Sequence, residues 1–122
     1  MNKKNLSESD LCDKVIRPAI VQAGWHELDQ IYAQFPLRAG RMVVRGNTAQ
    51  RDKSTVLFAD YVLCHKPNIP LAVVEAKDNG HAVGAGMAQA INYATLLDVP
   101  FSFSSNGDGF VFRDATLTDG VL

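Results

Sequence analysis

Two carboxylates and an amine stand inside otherwise apolar, strand-like runs: Asp60 within Ala59-Asp60-Tyr61, and Glu75 and Lys77 within Val73-Val74-Glu75-Ala76-Lys77. Burying an unpaired charge is costly, so charged residues rarely occupy such places without partners. Residues 71–77 alternate over two faces, with Leu71, Val73, Glu75 and Lys77 on one and Ala72, Val74 and Ala76 on the other. Glu75 and Lys77 therefore share a face, roughly 6.6 Å apart along the strand. Residues 55–64 read as a second strand, with Phe58, Asp60, Val62 and Cys64 on one face. The turn-like His65-Lys66-Pro67-Asn68-Ile69-Pro70 lies between the two, and a hairpin is the simplest connection. If Cys64 faces Leu71, the same register sets Asp60 opposite Glu75. Opposed like charges destabilise a strand pair, so something positive is expected between them. A divalent cation on oxygen ligands would serve, with Lys77 as further compensation. A buried Lys77–Glu75 ion pair is the purely structural alternative, and it leaves one acid without a partner.

Asp60, then Glu75-Ala76-Lys77 after an apolar strand, resembles the metal site of the PD-(D/E)xK nuclease superfamily. Gln89-Ala90-Ile91-Asn92-Tyr93 carries the Q-x-x-x-Y pattern of one branch of these nucleases. Ala59-Asp60-Tyr61-Val62-Leu63, Leu71-Ala72-Val73-Val74-Glu75-Ala76-Lys77-Asp78 and Phe101-Ser102-Phe103-Ser104-Ser105-Asn106-Gly107 are similar to the N-terminal nuclease region of type I restriction enzyme restriction (R) subunits. So is Ser7-Glu8-Ser9-Asp10 leading to Pro18 and Gly24-Trp25, and the similarity extends to Asp114. The resemblance implies an α/β fold with a restriction-endonuclease-like mixed β-sheet flanked by helices, an αβββαβ core plus a C-terminal strand. It implies a type I site-specific deoxyribonuclease that hydrolyses double-stranded DNA. Asp60, Glu75 and the backbone carbonyl of Ala76 would hold Mg²⁺, with Mn²⁺ a possible substitute, and Lys77 would orient the attacking water. Glu8 would reach the metal through a water; as a plain reading it is a helix-capping acid. The family works with modification and specificity subunits and has ATP-driven motor regions. This chain, 1–122, carries no P-loop and is expected to be a fragment without those regions, so ATP binding is not expected.

Bulk properties bound the rest. A length of 122 residues favours one domain. The formal net charge of −1 does not advertise a nucleic-acid binder, yet Arg38, Arg41, Arg45, Arg51 and Lys53 cluster against Asp52 alone. Arg41, Arg45, Arg51 and Lys53 would neutralise DNA phosphates from an edge strand and loop. A solvated, aggregation-blocking edge is the alternative. Cys12 and Cys64 are far apart and read as small apolar residues of a reducing compartment. With no signal peptide and no run near the ~20 apolar residues of a membrane span, a cytoplasmic location is expected. His26, His65 and His81 are isolated and suggest no zinc site.

The positioning elements follow from local signals. Ser7 is a helix N-cap with Glu8 and Asp10 in the first turn. Pro18 should kink that helix or start another, and Gly24 should stop it, with Trp25 folding back. A short strand is expected at 30–33, another at 41–45, and a polar, basic loop at 47–54. Asp78-Asn79-Gly80 should cap a helix from Ala82 to Leu97 with Met87, Ala90, Ile91, Ala94 and Leu97 as its apolar stripe. Gln89 and Tyr93, about 40° apart, lie on another side of it and could point together at a ligand. The resemblance implies that they help hold DNA or the catalytic groups; an ordinary polar flank is the alternative. Gly80, Gly84 and Gly86 match neither a dinucleotide fingerprint nor a P-loop and suggest capping and close packing. Residues 101–105 and 110–113 form strands about the turn Asn106-Gly107-Asp108-Gly109, and the helix before them makes 71–105 a crossover with parallel strands. The end, 116–122, reads as frayed. A non-catalytic nucleic-acid-binding module of the same fold and a nucleotide-binding α/β domain remain the alternatives to a nuclease.

Overall fold

Ser7 opens the first helical stretch: its hydroxyl accepts the Asp10 N–H at 3.0 Å, and helix α1 runs Glu8–Leu11. Cys12–Ile16 then forms a π-helical turn, and α2 follows at Arg17–Gln22. Pro18 lacks an N–H, and its ring crowds the carbonyl of the preceding turn. The widened turn removes that conflict and leaves the proline in the first turn of α2, where its missing donor costs nothing. Gly24, at φ +113°, ends the segment, and Trp25 packs back on the core. The structure, a computed structural model, describes residues 2–38, 42–45, 48–51 and 56–117.

The strands among the described residues are β1 Ile31–Arg38, β2 Met42–Arg45, β3 Thr48–Arg51, β4 Val56–Lys66, β5 Ile69–Ala76, β6 Phe101–Ser105 and β7 Phe110–Asp114, with helix α3 at Met87–Leu97. Five form one sheet in the order β1-β4-β5-β6-β7, while β2 and β3 pair separately. Neighbours are antiparallel except β5 and β6, which are parallel because α3 crosses between them. The main sheet and its helices thus follow as helix, three strands, helix, strand, strand. On one face Leu11, Ile16 and Ile20 pack on Tyr61, Leu63, Val74 and Ala76. On the other, Ala90, Tyr93 and Ala94 of α3 pack on Ala59, Val62 and Val73.

Several expectations are corrected. The short strand at 30–33 is the eight-residue β1. Thr48–Arg51, expected within a loop, pairs with β2. Cys64 pairs with Pro70, not Leu71: Asn68 turns at φ +66°, and Pro70 has no N–H for a regular ladder. The inner pairs Tyr61–Val74, Val62–Val73 and Leu63–Ala72 keep the expected register. Helix α3 begins at Met87 rather than Ala82. Glycines at 84 and 86 disfavour helix, and the Ser104 hydroxyl binds this stretch instead, accepting the Gly86 N–H at 2.9 Å and donating to the Val83 carbonyl at 2.7 Å. Of the expected stripe, Ile91 is only half-buried and Tyr93 takes a core place. At the chain end, 115–117 form a turn, and 118–122 lie outside the described residues.

The turn after β6 is as expected, and it supplies a stability test. Gly107 stands at φ +91°, and a Cβ there would meet Leu11 Cδ1 at 2.8 Å. Leu11 is fully buried and cannot swing aside. Gly107→Ala is expected to destabilise the chain by about 1–3 kcal/mol, read as a lower urea midpoint at unchanged slope.

Candidate active site

One residue beyond the Tyr61–Val74 pair, side chains take over from the backbone ladder. The Asp60 N–H donates to Glu75 Oε1 at 3.3 Å, and the Ala76 N–H donates to Asp60 Oδ2 at 2.8 Å. The two acids therefore converge, as the inner register requires. Glu75 is 3% exposed and Asp60 half-buried. Burial pushes the Glu75 carboxyl up to about 9, aided by its hydrogen bond with the Asp60 side chain and by that group's charge. At neutral pH and without a cation, a proton on Glu75 relieves the like-charge conflict, a solution that alternation and register alone do not suggest.

Glu75 owes its burial to distant residues. Ser104 pairs with it across β6 and ties down the turn before α3. Gly86 then lies so close that an added Cβ would sit 3.1 Å from Ser104 Oγ and 3.3 Å from Glu75 Cβ. The glycine is needed for this approach, and its N–H is already taken by Ser104, which disfavours a phosphate loop here.

Asp60 does not share a face with Val62 and Cys64 as alternation requires. Val62 and Cys64 pack beneath α3, but Ala59 joins them there. Asp60 instead lines a cleft of about 160 Å³ with Glu8, Cys12, Gln34 and Tyr61. Phe58 is exposed. Gln34, which the sequence reading missed, sits at φ +50° and donates from Nε2 to Asp60 Oδ1 at 3.4 Å. No sequence signal marks this conformation, since glutamine has no preference for it.

Glu8 stands at the rim. Partial burial raises its carboxyl, and the Asp60 charge adds to this, while Lys77 opposes it. Among the described residues no three His, Cys, Asp or Glu side chains gather closely enough to hold a metal, so Glu8 does not join Asp60 and Glu75 as a third ligand in this geometry. The Cys12 thiol, hydrogen-bonded to Tyr61, is pushed up to about 12, by burial and then by the Asp60 charge. Both cysteines are free.

Lys77 is half-buried just past β5, with its N–H on the Ser105 carbonyl at 2.9 Å. Among the described residues it makes no ion pair, so the structural alternative of a Lys77–Glu75 bridge is not formed. Its charge instead works against the rise of the Glu8 carboxyl, and it is a minor aid to Asp78, which hydrogen bonds from His81 and the Gly80 N–H hold below the usual carboxylate range. Asp78 is bridged by His81, Nδ1 to Oδ1 at 3.0 Å.

Gln89 Nε2 donates to the Tyr93 hydroxyl at 2.6 Å. Gln89 is exposed, but the Tyr93 ring is buried under the sheet rather than on a polar flank. The two come together with each other, with no hydrogen bond from either to Asp60 or Glu75 among the described residues. Arg41 and Lys53 lie outside the described residues. Arg45 and Arg51 end the β2–β3 ladder, with side chains also outside them.

The chain is 55% identical over 120 residues to the endonuclease subunit of the type I restriction enzyme EcoAI from Escherichia coli. That match covers 98% of this chain and 15% of the relative. A solved fragment described as an HsdR subunit of a type I restriction enzyme from Vibrio vulnificus superposes with a TM-score of 0.74 at 36% identity, covering 91% of this chain and 21% of that one. No protein-family model matches. The chain therefore spans less than a quarter of either relative. Over nearly its whole length it is homologous to part of a type I restriction endonuclease subunit, in agreement with the resemblance in its sequence.

Proposed function

We propose, with that homology as premise, that this chain is the nuclease module of a type I restriction subunit, a PD-(D/E)xK domain that hydrolyses DNA phosphodiester bonds with Mg²⁺. The observation that carries the reading is the convergence of Asp60 and Glu75 at the end of β5. Two hard carboxylates with few neutralising neighbours suit a hard divalent cation, and a main-chain carbonyl such as that of Ala76 is a common further ligand. The raised Glu75 carboxyl fits the same role, because a cation would replace the proton that burial and Asp60 favour.

In this reading Asp60 and Glu75 hold the ion, Ala76 contributes its carbonyl, and Glu8 approaches through a water. A bound Mg²⁺ or Mn²⁺ supplies a water of lowered pKa and stabilises charge on the attacked phosphate. Lys77, two residues past Glu75 and without an ion-pair partner among the described residues, orients that water or offsets the phosphate charge. Gln89, with Arg41, Arg45, Arg51 and Lys53, would contact the DNA backbone. Tyr93 can act only through its hydroxyl, because its ring is buried. The modification and specificity subunits are the partners this reading implies.

Calorimetric titration with Mg²⁺ and Mn²⁺ tests the reading. Saturable binding is expected in the wild-type chain. If neither ion binds, the chain is a non-catalytic DNA-binding module of this fold.

A further inference from the structure

We propose that Gln34 is a positioning residue for Asp60, and that its left-handed backbone is kept because it aims the side-chain amide at that carboxylate. The inference rests on the metal-site reading and extends it to a residue that no motif marks. Three observations support it. Between Ala33–Tyr61 and Phe35–Ala59 the β1–β4 ladder omits one pair, Gln34 with Asp60. At that gap both strands change faces. Ile31, Tyr61 and Leu63 pack toward the N-terminal helices, whereas Phe35, Leu37 and Ala59 pack toward α3. Strict alternation would put Ile31 with Phe35, and Tyr61 with Ala59. The change frees Asp60 to enter the cleft. Finally, Gln34 makes the turn at φ +50°, a conformation that glycine or asparagine adopts at lower cost.

What glutamine adds is reach and a donor. Asp60 Oδ2 is held by the Ala76 N–H at 2.8 Å, and Oδ1 faces the Gln34 amide at 3.4 Å. Both oxygens of one ligand are thus oriented before any cation arrives. Such outer-shell hydrogen bonds typically carry about 10- to 100-fold in metal affinity.

Gln34→Gly and Gln34→Leu separate the amide from the backbone. Glycine removes the donor and relieves the backbone; leucine removes the donor, keeps the length and retains the strain. The readouts are the Mn²⁺ dissociation constant and the melting temperature of the metal-free chain, with Asp60→Asn as the control for the site itself. Wild type should bind Mn²⁺ and Asp60→Asn far more weakly; wild-type failure sinks the metal reading and with it this proposal. Given wild-type binding, both Gln34 variants should bind Mn²⁺ about tenfold or more weakly, with the glycine variant melting above the leucine variant. A shape-only role would move the melting temperature and leave the affinity alone. Wild-type affinity in either folded variant overturns the proposal.

Discussion

Glu75→Gln is expected to melt well above the wild-type chain at pH 8 and close to it near pH 4. The folded Glu75 carboxyl titrates at about 9 and the free group at 4.5. Between those values the native chain holds a proton that the unfolded chain has released. Wild-type stability contributed by this group is therefore full below the unfolded value and falls as pH rises through the window. Each pH unit is worth at most about 1.4 kcal/mol, so the deficit reaches roughly a few kcal/mol by pH 8. For a chain of this size that is on the order of 5 °C or more. Glutamine keeps an oxygen for the Asp60 N–H and offers Asp60 an amide donor, without titrating. Adding Mg²⁺ or Mn²⁺ at pH 8 should raise the wild-type melting temperature and leave the variant's unchanged. A wild-type-to-variant difference that stays constant from pH 4 to 9 would show that Glu75 is ionised in the fold and overturn the site's electrostatics.

Asp60→Asn carries the largest functional effect. Asparagine can still accept the Ala76 N–H through its side-chain oxygen, so the hairpin should fold and melt near or above wild type. The loss is a negative charge, which a cation requires and an amide does not replace. Mn²⁺ affinity is expected to fall on the order of 100-fold or more, and plasmid cleavage with Mg²⁺ should drop below detection. Asp78→Asn is the control: this acid is bound to His81, and its loss should change affinity only a few-fold. Plasmid cleavage by Asp60→Asn at the wild-type rate, with magnesium present, would refute the assignment.

The face change at Gln34 and Asp60 explains why the candidate site was only partly legible. Alternation correctly brought Asp60 opposite Glu75, because the inner pairs of the β4–β5 hairpin hold the register despite the irregularity at Cys64 and Pro70. The same rule put Asp60 on the face of Val62 and Cys64, which packs beneath α3 and where Ala59 sits instead. It also required a positive group between the acids, because it had no measure of burial and so no account of a retained proton.

What the sequence determined by itself is short-range: the Ser7 cap, the break at Pro18, the stop at Gly24, the turn at 106–109 and the facing of two acids across a hairpin. These depend on backbone preferences and on neighbours within a few residues or one strand pairing. Only the tertiary structure decided how acidic Glu75 is and where the two carboxylates point. The Ser104 clamp and the bare Gly86 seal Glu75 from water, Gln34 turns Asp60 into the cleft, and Tyr93 goes to the core. Each of these depends on surfaces brought together from distant parts of the chain, and desolvation exists only once those surfaces meet.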